Sequence, residues 1–157
     1  AVLRVINSGK AEAAMLVDFE GIFRSYADVP RIAGVSLGAP WRTATSAQKA
    51  GYVEAFQGYL ARKYGRQFRK FAGAKIDIVR SRDGGRKGVL VLSMIDLPGD
   101  TPFEVEWQVI EVSGTPKMFD LIIEGISMLA SERSEIGAML EKRGGDIDRL
   151  IADLKST

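Results

Sequence analysis

The hydrophobic period of this chain changes twice, and few architectures accept that order. Up to about residue 71, apolar residues recur at three and four positions. Phe19, Ile22, Phe23 and Tyr26 share one helical face, as do Tyr52, Val53, Phe56, Leu60, Tyr64, Phe68 and Phe71. From 75 to 123 the period drops to two. FEVEWQVIEV (103–112) alternates cleanly, with Val105, Trp107 and Val109 on one face and Glu104, Glu106 and Gln108 on the other. KIDIVR (75–80), VLVLSMID (89–96), FEVEWQVIEV and MFDLII (118–123) are separated by the turn formers RDGGRKG, LPGDTP and SGTPK. Connections this short join antiparallel neighbours, so the four strands form a meander. A helical pattern returns from about Ile126 to Lys142, stops at RGG (143–145) and ends in DIDRLIADLK. Helices, then strands, then helices predict an α+β class, with the helices laid over one face of a curved four-stranded antiparallel sheet.

Local signals fix the helix ends. Asp28 reads as the cap of a short helix with Pro30 in its first turn, stopping at Gly38. Thr45 and Gln48 have capping-box spacing and predict a long helix from Ser46 to Phe71, about 39 Å at 1.5 Å per residue. Gly51, Gly58 and Gly65 lie inside it. Each costs about 1 kcal/mol relative to alanine, which predicts a bend, a close approach of another helix, or a break. No repeat or linker divides the 157 residues, and a single domain spanning 1–157 is expected. The chain opens with AVLRVINSGK, which reads as the end of a helix; a processed chain is expected, and secretion stays open.

What the chain lacks narrows its chemistry. It has no cysteine, hence no disulfide framework and no thiolate catalysis. It has no histidine, so the commonest general base and zinc ligand are missing. No apolar run reaches the roughly 20 residues that span a bilayer. A net charge of +2 does not announce a nucleic-acid partner. Asp120 and Glu124 could act as an acid/base pair, or could bond backbone donors at the strand end. Ser127 has no histidine to activate it and reads as a helix-start residue. Arg62, Lys63, Arg66, Arg69 and Lys70 form a basic run, either a solvated face or an attraction for anionic lipid or an acidic partner. The DGG at 83–85 reads as a hairpin turn, since no Lys-Ser/Thr follows it.

The stretch DLIIEGISMLASERSEI (120–136) joins an apolar strand to an apolar helix through Gly125. Such a hinge folds the helix back over the sheet, and the resulting arch either fills with side chains or closes a cavity. This segment, together with DVPRIAGVSLGAPWRTATSAQ (28–48), resembles the MlaC, or toluene-tolerance, family: a D-V-x-x-I-A start, an L-G-x-x-W-R connection and a T-x-x-Q cap, then D-V-x-x-E-G-x-S-L with a downstream R-S. The resemblance runs from about Glu12 to Leu154. It implies a periplasmic, non-enzymatic, monomeric carrier that holds a glycerophospholipid by its acyl chains, needs no cofactor, and serves an inner-membrane ABC transporter complex and an outer-membrane lipoprotein complex. The chain departs from the family's pattern at Pro116 and Lys117, at Glu132 before Arg133, and at Leu92 and Met94.

On that resemblance the expected lipid-binding wall is Phe23, Val29, Ile32, Val35, Trp41, Val53, Phe56, Leu60, Tyr64, Val91, Val105, Trp107, Val109, Ile126 and Leu129. Two other readings stay open. A small-molecule enzyme on a ketosteroid-isomerase-like cone needs a carboxylate or tyrosine at the pocket floor. An adaptor needs a filled core.

Overall fold

A computed structural model describes residues 1–157. Five helices come first: α1 (Val2–Ile6), α2 (Glu12–Tyr26), α3 (Val29–Leu37), α4 (Pro40–Thr43) and α5 (Ser46–Phe68). The strands β1 (Lys75–Asp83), β2 (Val89–Asp96), β3 (Phe103–Val112), β4 (Thr115–Ile123) and β5 (Ile126–Ser127) follow, then α6 (Met128–Lys142) and α7 (Ile147–Ser156). The class is α+β, as the order of periods requires.

The strands form an open antiparallel sheet in sequence order, β1-β2-β3-β4-β5. The meander has five strands rather than four because the Gly125 hinge is a complete reversal. Glu124 and Gly125 carry φ values of 49° and 81°, and Ile126 and Ser127 pair back onto Ile123 and Ile122. Two consecutive positive φ values mark a type I′ turn, whose twist matches that of the strands it joins. Ser113 and Gly114, at 51° and 79°, close β3 onto β4 in the same way.

The helix caps follow the sequence. Asp28 accepts the Arg31 N–H at the start of α3, which ends at Gly38. Thr45 and Gln48 form a reciprocal capping box on α5. That helix runs unbroken to Phe68 and tightens into a 3₁₀ turn over Arg69–Phe71.

Two of the three glycines of α5, Gly65 and Gly51, meet different surroundings. A Cβ on Gly65 would lie 2.7 Å from Leu16 Cδ2 and 2.9 Å from Phe19 Cδ2, so α2 crosses α5 there at a distance only glycine permits. A Cβ on Gly51 would meet only Ile151, at an ordinary 3.5 Å. Gly51→Ala is therefore expected to stabilise by about 1 kcal/mol, the usual helical gain. Gly65→Ala is expected to destabilise by about 1–3 kcal/mol, because the fully buried Phe19 ring has nowhere to move. Urea denaturation of the two variants checks the opposite signs.

The solid core lies among the helices. Phe19, Ile32, Tyr52, Phe56, Ile136, Leu150 and Leu154 are fully buried, and all are helical. α5 is the central element, packed by α2, α3 and α7, while α3 also packs on α6. The sheet is engaged through β4, which touches α2, α3 and α6. This uneven contact leaves space between the middle of the sheet and the ends of α1 and α2.

Candidate functional site

That space is a cavity of about 540 Å³. Its floor is the inward face of β3, where strand alternation points Phe103, Val105, Trp107 and Val109 the same way. Cross-strand pairing extends the floor: Ile95 sits opposite Phe103, Ile123 opposite Val105, Leu121 opposite Trp107 and Met118 opposite Val109. A bulge in the β3–β4 pairing at Gln108/Val109 shifts the register so that Met118 joins Leu121 and Ile123 on this face.

Helix ends make the roof. α1 contributes Val2, Leu3 and Ile6, and α2 contributes Ile22, Phe23 and Tyr26. A chain of rings closes the end where α5 runs out. Phe103 lies 6.1 Å from Phe71, Phe71 is 5.9 Å from Phe68, and Phe68 is 6.5 Å from Phe23, all in tilted contact. The long helix therefore ends in a 3₁₀ turn that aims Phe71 at the sheet.

The lining is almost free of polar groups: 21 of its 23 residues are hydrophobic. Trp107 Nε1 donates to Ser93 Oγ at 2.8 Å, and Ser93 Oγ donates to the Val105 carbonyl at 2.8 Å. The indole thus has its one donor satisfied within the sheet. No Asp or Glu lines the space, and Lys117 is its one charged side chain. Such a surface can bind hydrocarbon, and its polar side-chain atoms are confined to Trp107, whose donor is satisfied, and to Tyr26 and Lys117.

The candidate acid/base pair is structural. Asp120 is buried, accepts the N–H groups of Leu121 (2.7 Å) and Leu129 (2.9 Å), and accepts the Ser127 hydroxyl. Ser127 in turn caps α6 by accepting the Ala130 N–H at 3.0 Å. Glu124 occupies the exposed turn. The basic run is mostly paired within the chain. Arg62 donates to the carbonyls of Leu154 and Thr157 at the end of α7, Lys63 binds Glu132 and Glu135, and Arg66 and Arg69 share Glu12.

The structure divides the expected wall into four groups. Phe23, Val105, Trp107 and Val109 meet at the cavity. Val29, Ile32, Phe56, Leu60, Tyr64 and Leu129 are buried in the solid core, and the half-buried Val53 packs against it. Val35 and Trp41 line a separate open cleft of about 560 Å³ with Arg31, Arg42 and Arg133. Val91 shares the cavity face of β2, paired with Trp107, but lies outside the lining, and Ile126 is 67% exposed. Ile126 shares the face of its partner Ile123, yet β5 is the sheet's edge. The α1 residues, Phe68, Phe71 and the apolar face of β4 were not among the expected wall. For β4 a signal exists, since Leu121 and Ile123 alternate; Phe68 and Phe71 continue the helical period, which marks them as apolar without saying that they face the sheet, and α1, at five residues, is too short to show a period.

Comparison with known proteins places this geometry. The family described as MlaC protein matches residues 1–156. A phospholipid-binding protein from Ralstonia solanacearum, solved in complex with a phospholipid, has the same fold at a TM-score of 0.80 and 20% identity, over 99% of this chain and 89% of that one.

Proposed function

The chain belongs to the MlaC family, and from that membership we propose that it is a non-enzymatic carrier holding a glycerophospholipid by its acyl chain in the cavity under the sheet. The observation that carries this reading is a hollow of about 540 Å³ lined by 21 hydrophobic residues of 23, with no carboxylate among them. The Ralstonia protein, solved with a phospholipid in the same fold, supports it.

The energetics suit transfer. Taking a methylene out of water contributes about 0.8 kcal/mol, so an acyl chain in the cavity is held strongly against loss to the aqueous phase. A lipid drawn from a bilayer has already gained that energy, so exchange between membrane and cavity is close to neutral. The carrier can therefore hold its cargo in transit and release it at a membrane complex without covalent chemistry. In this reading it works in the periplasm, between an outer-membrane lipoprotein complex and an inner-membrane ABC transporter complex, and its partners set the direction. No helix is long and apolar enough to cross a membrane.

Native mass spectrometry of the protein purified from a bacterial host tests the proposal. The expected spectrum contains a species heavier than the polypeptide by one phospholipid, confirmed by extraction. A single peak at the polypeptide mass, unchanged after incubation with phospholipid vesicles, would rule the carrier out.

A further inference from the structure

The carrier reading leaves the headgroup unspecified, and the lining of the cavity carries one charged side chain that bears on it. Tyr26, 61% exposed, and the exposed Pro116 mark an opening where the end of α2 meets the start of β4. The two segments are tied there by the Asp28 N–H, which donates to the Met118 carbonyl at 3.0 Å, and by a bridge between Ala27 and Met118. Lys117 stands at this junction. It is half-buried and is the only charged side chain among the lining residues. Its ammonium donates to the Ser25 carbonyl in the last turn of α2, which fixes it beside Tyr26.

No carboxylate lies within ion-pair distance of Lys117. Arg24, one residue before Ser25, lies outside the lining and pairs with Glu20 at 3.5 Å. A helix C-terminus favours a cation by only a fraction of a charge, so most of the positive field of Lys117 remains available to a ligand. A ligand whose tail fills the cavity and whose polar end emerges at this opening brings its phosphodiester close to that ammonium. A second anionic or neutral hydroxylic headgroup leaves the attraction intact. An ethanolamine headgroup sets its own ammonium against Lys117 and offsets it.

We propose that Lys117 is a headgroup-selecting residue at the cavity rim, biasing the carrier toward glycerophospholipids of net negative charge, such as phosphatidylglycerol, over zwitterionic ones. The inference rests on the carrier reading and goes beyond it. A partly exposed cation of this kind is worth about fivefold in preference at low salt and less as salt screens it.

The test loads lipid-stripped protein from vesicles of equal phosphatidylglycerol and phosphatidylethanolamine, re-isolates it, and measures the headgroup ratio of the bound lipid. Wild type is expected to carry about fivefold more phosphatidylglycerol at low salt, with the ratio falling toward one in 0.5 M NaCl. Lys117→Met is expected to give a ratio near one at both salt concentrations, and Lys117→Arg to keep the preference. The ratio separates selection from the structural bond to Ser25, whose loss alone changes the melting temperature without touching headgroup composition. A wild-type ratio of one, or a Lys117→Met ratio equal to wild type, overturns this inference and leaves the carrier standing. A wild type that acquires no lipid of either kind overturns the carrier reading, and this inference with it.

Discussion

Val105→Trp is expected to yield a folded protein that carries at least tenfold less lipid than wild type. Val105 lies in the middle of β3, is 4% exposed, and pairs across the sheet with Ser93 on one side and Ile123 on the other. Its side chain has one direction open to it, into the hollow. In a filled core an enlargement of this size costs about 1–3 kcal/mol in strain. Here the indole enters existing space and buries apolar surface of its own, so the fold should lose less than that. The space it takes is space an acyl chain needs. The measurement is lipid phosphorus per mole of purified protein, read beside the melting temperature. A second variant sharpens it. Val53 is an equally apolar position on α5, but it packs against the helical core and does not line the cavity. Val53→Arg is therefore expected to retain its lipid. Full lipid in Val105→Trp together with loss in Val53→Arg would place the chains on the helical side and remove the cavity from the mechanism.

The contrast between these two valines marks what the sequence can express. A period of two or 3.6 reports which face of an element is apolar, and on that basis the order of helices, the meander and the caps at Asp28, Thr45 and Ser127 were all legible. It does not report what stands opposite that face. Phe56 and Leu60 meet other helices and lie away from the cavity; Val105 and Trp107 pack on the same core but also border the hollow; all four look alike in the chain. The distinction is made where α1 and α2 stand off the sheet, beside the rings at the end of α5 and the β4 bulge; the bulge has no periodic signature, and the period that includes Phe68 and Phe71 does not say that they meet the sheet. The fifth strand was missed for a related reason. E-G with two positive φ values is a weaker I′ signal than N-G, and a strand of two residues has no alternation to detect.

The largest stability effect is expected away from the cavity, from Lys63→Met. Glu132 on α6 is fully buried, and its Oε1 accepts bonds from Lys63 Nζ at 2.6 Å and the Tyr64 hydroxyl at 2.5 Å, both on α5. Its other oxygen makes no hydrogen bond. Removing the lysine leaves a buried carboxylate without its counter-charge, which destabilises by about 3–5 kcal/mol. Against a typical total of about 5–15 kcal/mol, that is enough to threaten the fold at 37 °C. Adding Glu132→Leu to the same variant is expected to recover most of the loss, because the burden is the unpaired charge. The Tyr64 hydroxyl then lacks its acceptor, which leaves a residual deficit of about 1–3 kcal/mol. Denaturation in urea at pH 7 measures all three proteins.

The same cluster sets an alkaline limit. Burial, reinforced by the Glu132 carboxylate, raises the pKa of Tyr52 and of Tyr64 well above the ordinary tyrosine value, and pushes Tyr59 up to about 12. Burial opposes the charge on Lys63, but hydrogen bonds to Glu132, Glu135 and Tyr59 together outweigh it, so its pKa also rises. All four groups thus keep protons in the folded state that the unfolded chain releases near pH 10. Stability falls wherever the native state holds more protons than the unfolded one. It should therefore be complete below about pH 10 and be lost as the pH climbs from there toward the folded-state values. Tyr64→Phe removes one of these protons, so its urea midpoint, lower at neutral pH, should decline less steeply above pH 10. Parallel declines for the variant and the wild type would mean that Tyr64 ionises as freely in the native protein as in the unfolded chain, and that Glu132 is not held as the geometry requires.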